Sequence, residues 1–214
     1  MPVTLQLQQL DVPPGQRLRI QDLDWSAFER ILCELGEHRS TRIAYSQTVL
    51  EIRMPLPQHE RAKSILGDIV KIILEELGID CECFGSTTFK NPTLGYGIEP
   101  DDCFYIQNHQ RMVGKERIDL AIDPPPDLAI EVDVTSKTQM GAYLSLGVPE
   151  LWICEQEQLR IYVLQASQYH LASASPSLPN LPIVELAATV FARSKTVGRS
   201  PALQELRQQI RQSR

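Results

Sequence analysis

The spacing of apolar positions changes several times along the chain, and each change marks an element. The first twenty or so residues, with Pro13-Pro14-Gly15, read as an arm or a short edge strand. Trp25, Phe28, Leu32 and Leu35 then recur at helical spacing, with Asp24 placed to cap the helix and Gly36 to end it. Arg42 to Met54 is strand-rich, with a turn near Ser46-Gln47, which predicts a hairpin. From about Gln58 to Leu77, the residues Ile65, Leu66, Ile69, Ile72, Ile73 and Leu77 follow the i, i+3, i+4 pattern of an amphipathic helix that Gly78 closes.

Cys81 to Phe89 reads as a strand, followed by a glycine-rich turn from Asn91 to Gly97 and a short strand, Cys103 to Ile106. Residues 107–119 are polar and predict a loop with a short helix. After Pro124-Pro125-Pro126 comes a strong strand, Asp127 to Val134, and then a helix over about Lys137 to Leu146, capped by Thr135 or Ser136 and stopped at Gly147. Glu150–Cys154 and Leu159–Leu164 form a second hairpin-like pair. Residues 172–182 read as a proline- and serine-rich linker before a C-terminal helix from about Ala202. This order predicts an α/β fold with a mixed central β-sheet flanked by helices. It divides into an N-terminal arm and helix (1–40), a core (41–170), and a linker with a basic C-terminal helix (171–214).

Composition adds constraints. The 214 residues are 43% hydrophobic and 22% charged, an ordinary globular balance. Five cysteines, odd in number and without CxxC spacing, argue against a disulfide framework or a zinc ribbon and for a reducing, cytoplasmic setting. Cys81 and Cys83 share one face of their strand and read as small, half-buried thiols. No apolar run reaches the roughly 18 residues of a membrane span, and the N-terminus lacks the pattern of a signal peptide. The net charge of -6 is awkward for a nucleic-acid partner. From Arg193 to Arg214, however, six basic residues face one acid, which leaves +5 there and -11 in the rest of the chain. The simplest reading of this tail is a helix with its arginines on the wet face.

The chemistry concentrates in Leu128 to Val134. Strand alternation puts Leu128, Ile130, Val132 and Val134 on one face, against a helix, and Ala129, Glu131 and Asp133 on the other. Two carboxylates at i, i+2 lie about 6.5–7 Å apart at Cα, close enough to reach one cation. Without a cation they repel and one pKa rises. A hard ion such as Mg²⁺ or Mn²⁺ explains the pair. Asp101, opening a short strand after a turn, is the natural third acid, because antiparallel pairing of its strand with 127–134 turns it toward Glu131 and turns Asp102 away. Asp127 lies about 13 Å along the strand from Glu131, too far to share the ion.

These residues resemble the PD-(D/E)XK nuclease superfamily and, more narrowly, its Uma-type restriction endonucleases. The matching stretches are Ile98-Glu99-Pro100-Asp101, Pro126 to Val132, and Tyr143 followed by Gly147 to Ile153, with Met54-Pro55-Leu56-Pro57 and His59 upstream; together they span roughly residues 42–165. The resemblance implies a restriction-endonuclease-like fold and a Mg²⁺- or Mn²⁺-dependent endonuclease acting on DNA. In it Asp101 and Glu131 bind metal, the Val132 carbonyl is a further ligand, and a homodimer is one way to cut both strands. The lysine expected two residues after Glu131 is absent, and Asp133 stands there. Either Asp133 adds a third carboxylate to the metal and acts in the lysine's place, or Lys137 reaches back from the next helix. If neither serves, the site is degenerate and the chain is a nuclease-fold module that binds nucleic acid or protein. His59 and Glu60, at the start of the long helix, and Gln139 and Tyr143, at i, i+4 on the next, are further cleft candidates.

Overall fold

Two β-sheets face each other across one helix in the computed structural model, which describes residues 10–36, 40–132 and 136–213. The first sheet is wholly antiparallel. Its order is β1 (Arg17–Ile20), β3 (Val49–Arg53), β2 (Arg42–Ser46), β6 (Tyr96–Ile98) and β5 (Phe89–Asn91). The second is mixed. It runs β11 (Gln168–Ala172), β10 (Gln158–Gln165), β9 (Glu150–Glu155), β8 (Leu128–Val132), β7 (Asp102–Tyr105) and β4 (Glu82–Cys83), with β8 and β9 parallel and the other neighbours antiparallel.

The parallel pair requires a crossover, and α4 (Lys137–Leu146) supplies it. Ala142 and Tyr143 of α4 pack with Ala44 and Ile98 of the first sheet and with Ala129 and Leu151 of the second. The approach is close, since a Cβ on Gly141 of α4 would stand 3.0 Å from the Ser46 hydroxyl. On the far side of the first sheet lies α1 (Trp25–Leu35), whose Phe28 stacks on Tyr45 with ring centroids 4.6 Å apart. On the far side of the second lies α2 (Pro57–Leu77), with Ile65, Leu66, Ile69 and Ile73 buried against Leu128, Ile130 and Val132.

Several expectations hold in detail. Asp24 caps α1 by accepting from the Ala27 N–H at 2.7 Å, Gly36 and Gly78 end their helices, and Ser136, one of the two candidates, caps α4. The arm contributes edge strand β1. Other expectations are corrected. The strand read over 81–89 breaks after two residues, because Gly85 adopts a positive φ of 57° and the Thr87 hydroxyl donates to the Phe84 carbonyl, closing a turn. Phe89 then begins β5 in the other sheet. The turn read over 91–97 is a hairpin whose second arm is β6.

The linker at 172–182 is packed: Ser177 N–H donates to Glu150 and Leu178 is wholly buried. It leads into α5 (Ile183–Thr196), which the sequence reading did not include, and then α6 (Arg199–Gln212), which begins three residues earlier than expected. The basic tail is not merely solvated. Arg207 and Arg211 converge on Glu76 of α2, Arg199 pairs with Asp68, and Arg193 pairs with Glu205. The short helix in the 107–119 loop is α3 (His109–Met112). Among the described residues no helix is long and apolar enough to cross a membrane.

Candidate active site

The alternation of β8 puts Leu128, Ile130 and Val132 against α2 and turns Ala129 and Glu131 toward α4, as the sequence predicts. Glu131 has no solvent exposure. Antiparallel pairing of β7 with β8 sets Asp102 opposite Ile130. Asp101, one residue earlier, is bound to the β8 backbone twice: its N–H donates to the Ile130 carbonyl at 3.1 Å, and its Oδ2 accepts from the Val132 N–H at 2.8 Å. The Asp101 and Glu131 carboxylates therefore come together. Asp102 turns the other way, toward α2, where its Oδ2 stands 2.5 Å from the place a Gly67 Cβ would take.

A third charged group arrives from the other sheet. In β3, Leu50 and Ile52 face α1, so Glu51 and Arg53 face the opposite way. Glu51 pairs with Arg17 and Arg19 of β1. Arg53 crosses to the second sheet. Its Nη2 donates to Glu131 Oε2 at 2.6 Å and to Asp101 Oδ1 at 3.2 Å, and its Nη1 lies 3.5 Å from the Val132 carbonyl. On α4, the Tyr143 hydroxyl donates to Glu131 Oε1 at 2.5 Å.

Each carboxylate thus gives one oxygen to a fixed protein donor and turns the other to the same guanidinium. Two buried carboxyl groups share one guanidinium. Burial pushes the Glu131 carboxyl up to about 8, with Arg53 pulling it down and Asp101 adding to the rise. Burial likewise raises the Tyr143 hydroxyl well above its ordinary value, and Glu131 raises it further. Burial works against the Arg53 charge, but Glu131 and Asp101 outweigh it and hold the guanidinium protonated.

The expected residues divide as follows. Asp101 and Glu131 converge. Asp133 lies outside the described residues, and of Lys137 only the backbone, at the first turn of α4, is described. Among the described residues, no three His, Cys, Asp or Glu side chains gather as a metal cluster. Asp127 has a structural role, its carboxylate accepting from the N–H groups of Ile106 and Asn108 and from the Asn108 side chain at 2.6–2.9 Å. Glu60 is half exposed and pairs with Lys63. His59 lines a cleft of about 300 Å³ with Gln58, Ala62, Val132, Gln156, Glu157 and Lys195, which opens at the C-terminal end of β8. Gln139 is buried, receives the Ser136 hydroxyl, and has an amide nitrogen without a partner among the described residues. Cys81 and Cys83 do share a face, with sulfurs 3.9 Å apart.

Sequence reasoning missed Arg53. The signal was the alternation Leu50-Glu51-Ile52-Arg53, which places two charges on one strand face, although nothing local names their partners.

The donor set is chemically suited to a hard divalent ion. Asp101 Oδ1, Glu131 Oε2 and the Val132 carbonyl are all oxygens, and all three already turn toward a single cationic group.

Comparison with known proteins bears on the family and the fold. Residues 25–192 match the model of the Uma2 family, described as "Putative restriction endonuclease". Among solved structures, the chain is similar to one from Anabaena variabilis described as "a putative nuclease belonging to DUF820", at 17% identity and a TM-score of 0.51. The match covers 73% of this chain and 93% of the other. At that identity the likeness speaks for the fold. No curated protein matches the sequence.

Proposed function

The chain belongs to the Uma2 family, and on that premise we propose that it is a divalent-metal-dependent nuclease that hydrolyses phosphodiester bonds in DNA. The observation that carries this reading is the convergence of Asp101 Oδ1, Glu131 Oε2 and the Val132 carbonyl on one cationic group in a buried site. In the proposal these three oxygens hold Mg²⁺ or Mn²⁺. A bound divalent ion supplies Lewis acidity and makes hydroxide available at neutral pH.

The chain's own residues orient and charge the site. Tyr143 engages Glu131 Oε1 and so keeps Oε2 turned inward, while the Val132 N–H does the same for Asp101 by engaging Oδ2. Asp133, directly after Val132, is proposed as a third acid. Lys137, at the start of α4, is proposed as the cation that faces the phosphate in place of the absent lysine. The cleft beside Val132 and His59 is the proposed approach for the strand. One observation favours a second reading, a nuclease fold retained as a binding module: the position two residues after Glu131 carries an acid.

Plasmid nicking in Mn²⁺ separates the two readings. The nuclease nicks supercoiled DNA, and Asp101→Ala and Glu131→Ala each abolish the nicking. Activity that survives in both variants rules the assignment out, and a wild-type protein that binds DNA without nicking it supports the module.

A further inference from the structure

The guanidinium of Arg53 and the proposed metal ion need the same three oxygens. Nη2 is 2.6 Å from Glu131 Oε2 and 3.2 Å from Asp101 Oδ1, and Nη1 is 3.5 Å from the Val132 carbonyl. A divalent ion taking those donors sits at about 2.0–2.1 Å from oxygen for Mg²⁺, in the space the guanidinium fills. Both cannot be there at once. Tyr143 engages Glu131 Oε1 and the Val132 N–H engages Asp101 Oδ2, which leaves Oε2 and Oδ1 as the oxygens turned to the ion.

We propose that Arg53 is a built-in counter-cation that competes with the divalent metal for Asp101 and Glu131, so that loading the site requires the guanidinium to leave. The inference rests on the metal-site reading above and specifies how that site is regulated. The charge count makes the exchange feasible. A divalent ion brings two positive charges to two acids that share a single one in Arg53. What opposes the exchange is the loss of two charge-assisted hydrogen bonds from a side chain that is only 16% exposed. The side chain comes from the last residue of β3 in the other sheet. It can therefore withdraw without disturbing the strands β7 and β8 that carry the acids. The same arrangement sets a cation of the protein's own between two buried acids.

The test is Mn²⁺ binding by calorimetry, together with thermal melting in metal-free and Mn²⁺ buffers, on the wild type and on Arg53→Gln. Removing the competitor is expected to tighten Mn²⁺ binding by about tenfold or more, the scale of one charge-assisted hydrogen bond. The variant is also expected to melt below the wild type without metal and to gain more from Mn²⁺ than the wild type does. An affinity in Arg53→Gln equal to or weaker than the wild-type value overturns the competition. If the wild type in that case still binds Mn²⁺ and nicks DNA, the metal-site reading stands alone. If neither protein binds Mn²⁺ at millimolar concentration, both readings fall. Should Arg53→Gln not fold in either buffer, Arg53→Lys carries the test. Its shorter side chain lacks the second nitrogen that faces the Val132 carbonyl, so its Mn²⁺ affinity is expected to exceed the wild-type value, and no tightening overturns the proposal.

Discussion

The Tyr143 hydroxyl donates to Oε1 of Glu131 at 2.5 Å, and both side chains are fully buried. Tyr143→Phe keeps the ring packing and removes only this donor, leaving a buried carboxylate oxygen unsatisfied. The expected cost is about 1–3 kcal/mol of stability, read from the midpoint of urea unfolding. A midpoint equal to that of the wild type shows that the hydroxyl contributes nothing.

Asp127 offers a contrast. Its carboxylate satisfies the backbone N–H groups of Ile106 and Asn108 at the start of the loop after β7. Asp127→Ala is expected to lower stability by about 1–3 kcal/mol while leaving Mn²⁺ affinity within a factor of two or so. A large loss of metal affinity with unchanged stability would reverse the assignment and make Asp127 part of the site.

Gly67 lies in the middle of α2, where alanine is ordinarily the better helix former. Here a Cβ meets the buried Asp102 carboxylate. Gly67→Ala is therefore expected to destabilise by about 1–3 kcal/mol, the scale of an overpacked core. The double variant with Asp102→Ala is expected to recover part of that loss in chemical denaturation.

The clamp between α6 and α2 makes stability depend on pH. Hydrogen bonds from Arg211 and Arg207 hold the Glu76 carboxyl at about 2, below its ordinary 4.5. A depressed folded-state value means that its contribution is present above about 4.5 and is lost as pH falls toward 2. Melting temperatures of the wild type and Glu76→Gln are expected to differ at pH 6 and to converge by pH 2. A constant difference across that range removes Glu76 as the cause.

Some of this was legible in the residues alone. The alternation of Leu128 to Val132 and the 3.6-residue rhythm of α2 report burial directly, so the face that carries Glu131, and the side on which Asp102 falls, could be read off. Arg53 could not be placed in the same way. Its partners lie 48 and 78 residues away, and a strand's period says which face a charge takes but not which sheet that face meets. α5 escaped for another reason. It follows three spaced prolines, and Pro182 stands at its N-cap position with no side-chain cap, so the usual start signal is missing. The two-residue β4 is too short to show any period.

The distance along the chain between Arg53 and Glu131 also sets an order of events during synthesis. At about 5–20 residues per second, the ribosome makes the guanidinium roughly 4–16 s before the carboxylate it will hold. Arg53 and its hairpin are made well before the strand that completes the site. When Glu131 emerges, its neutralising partner is already waiting.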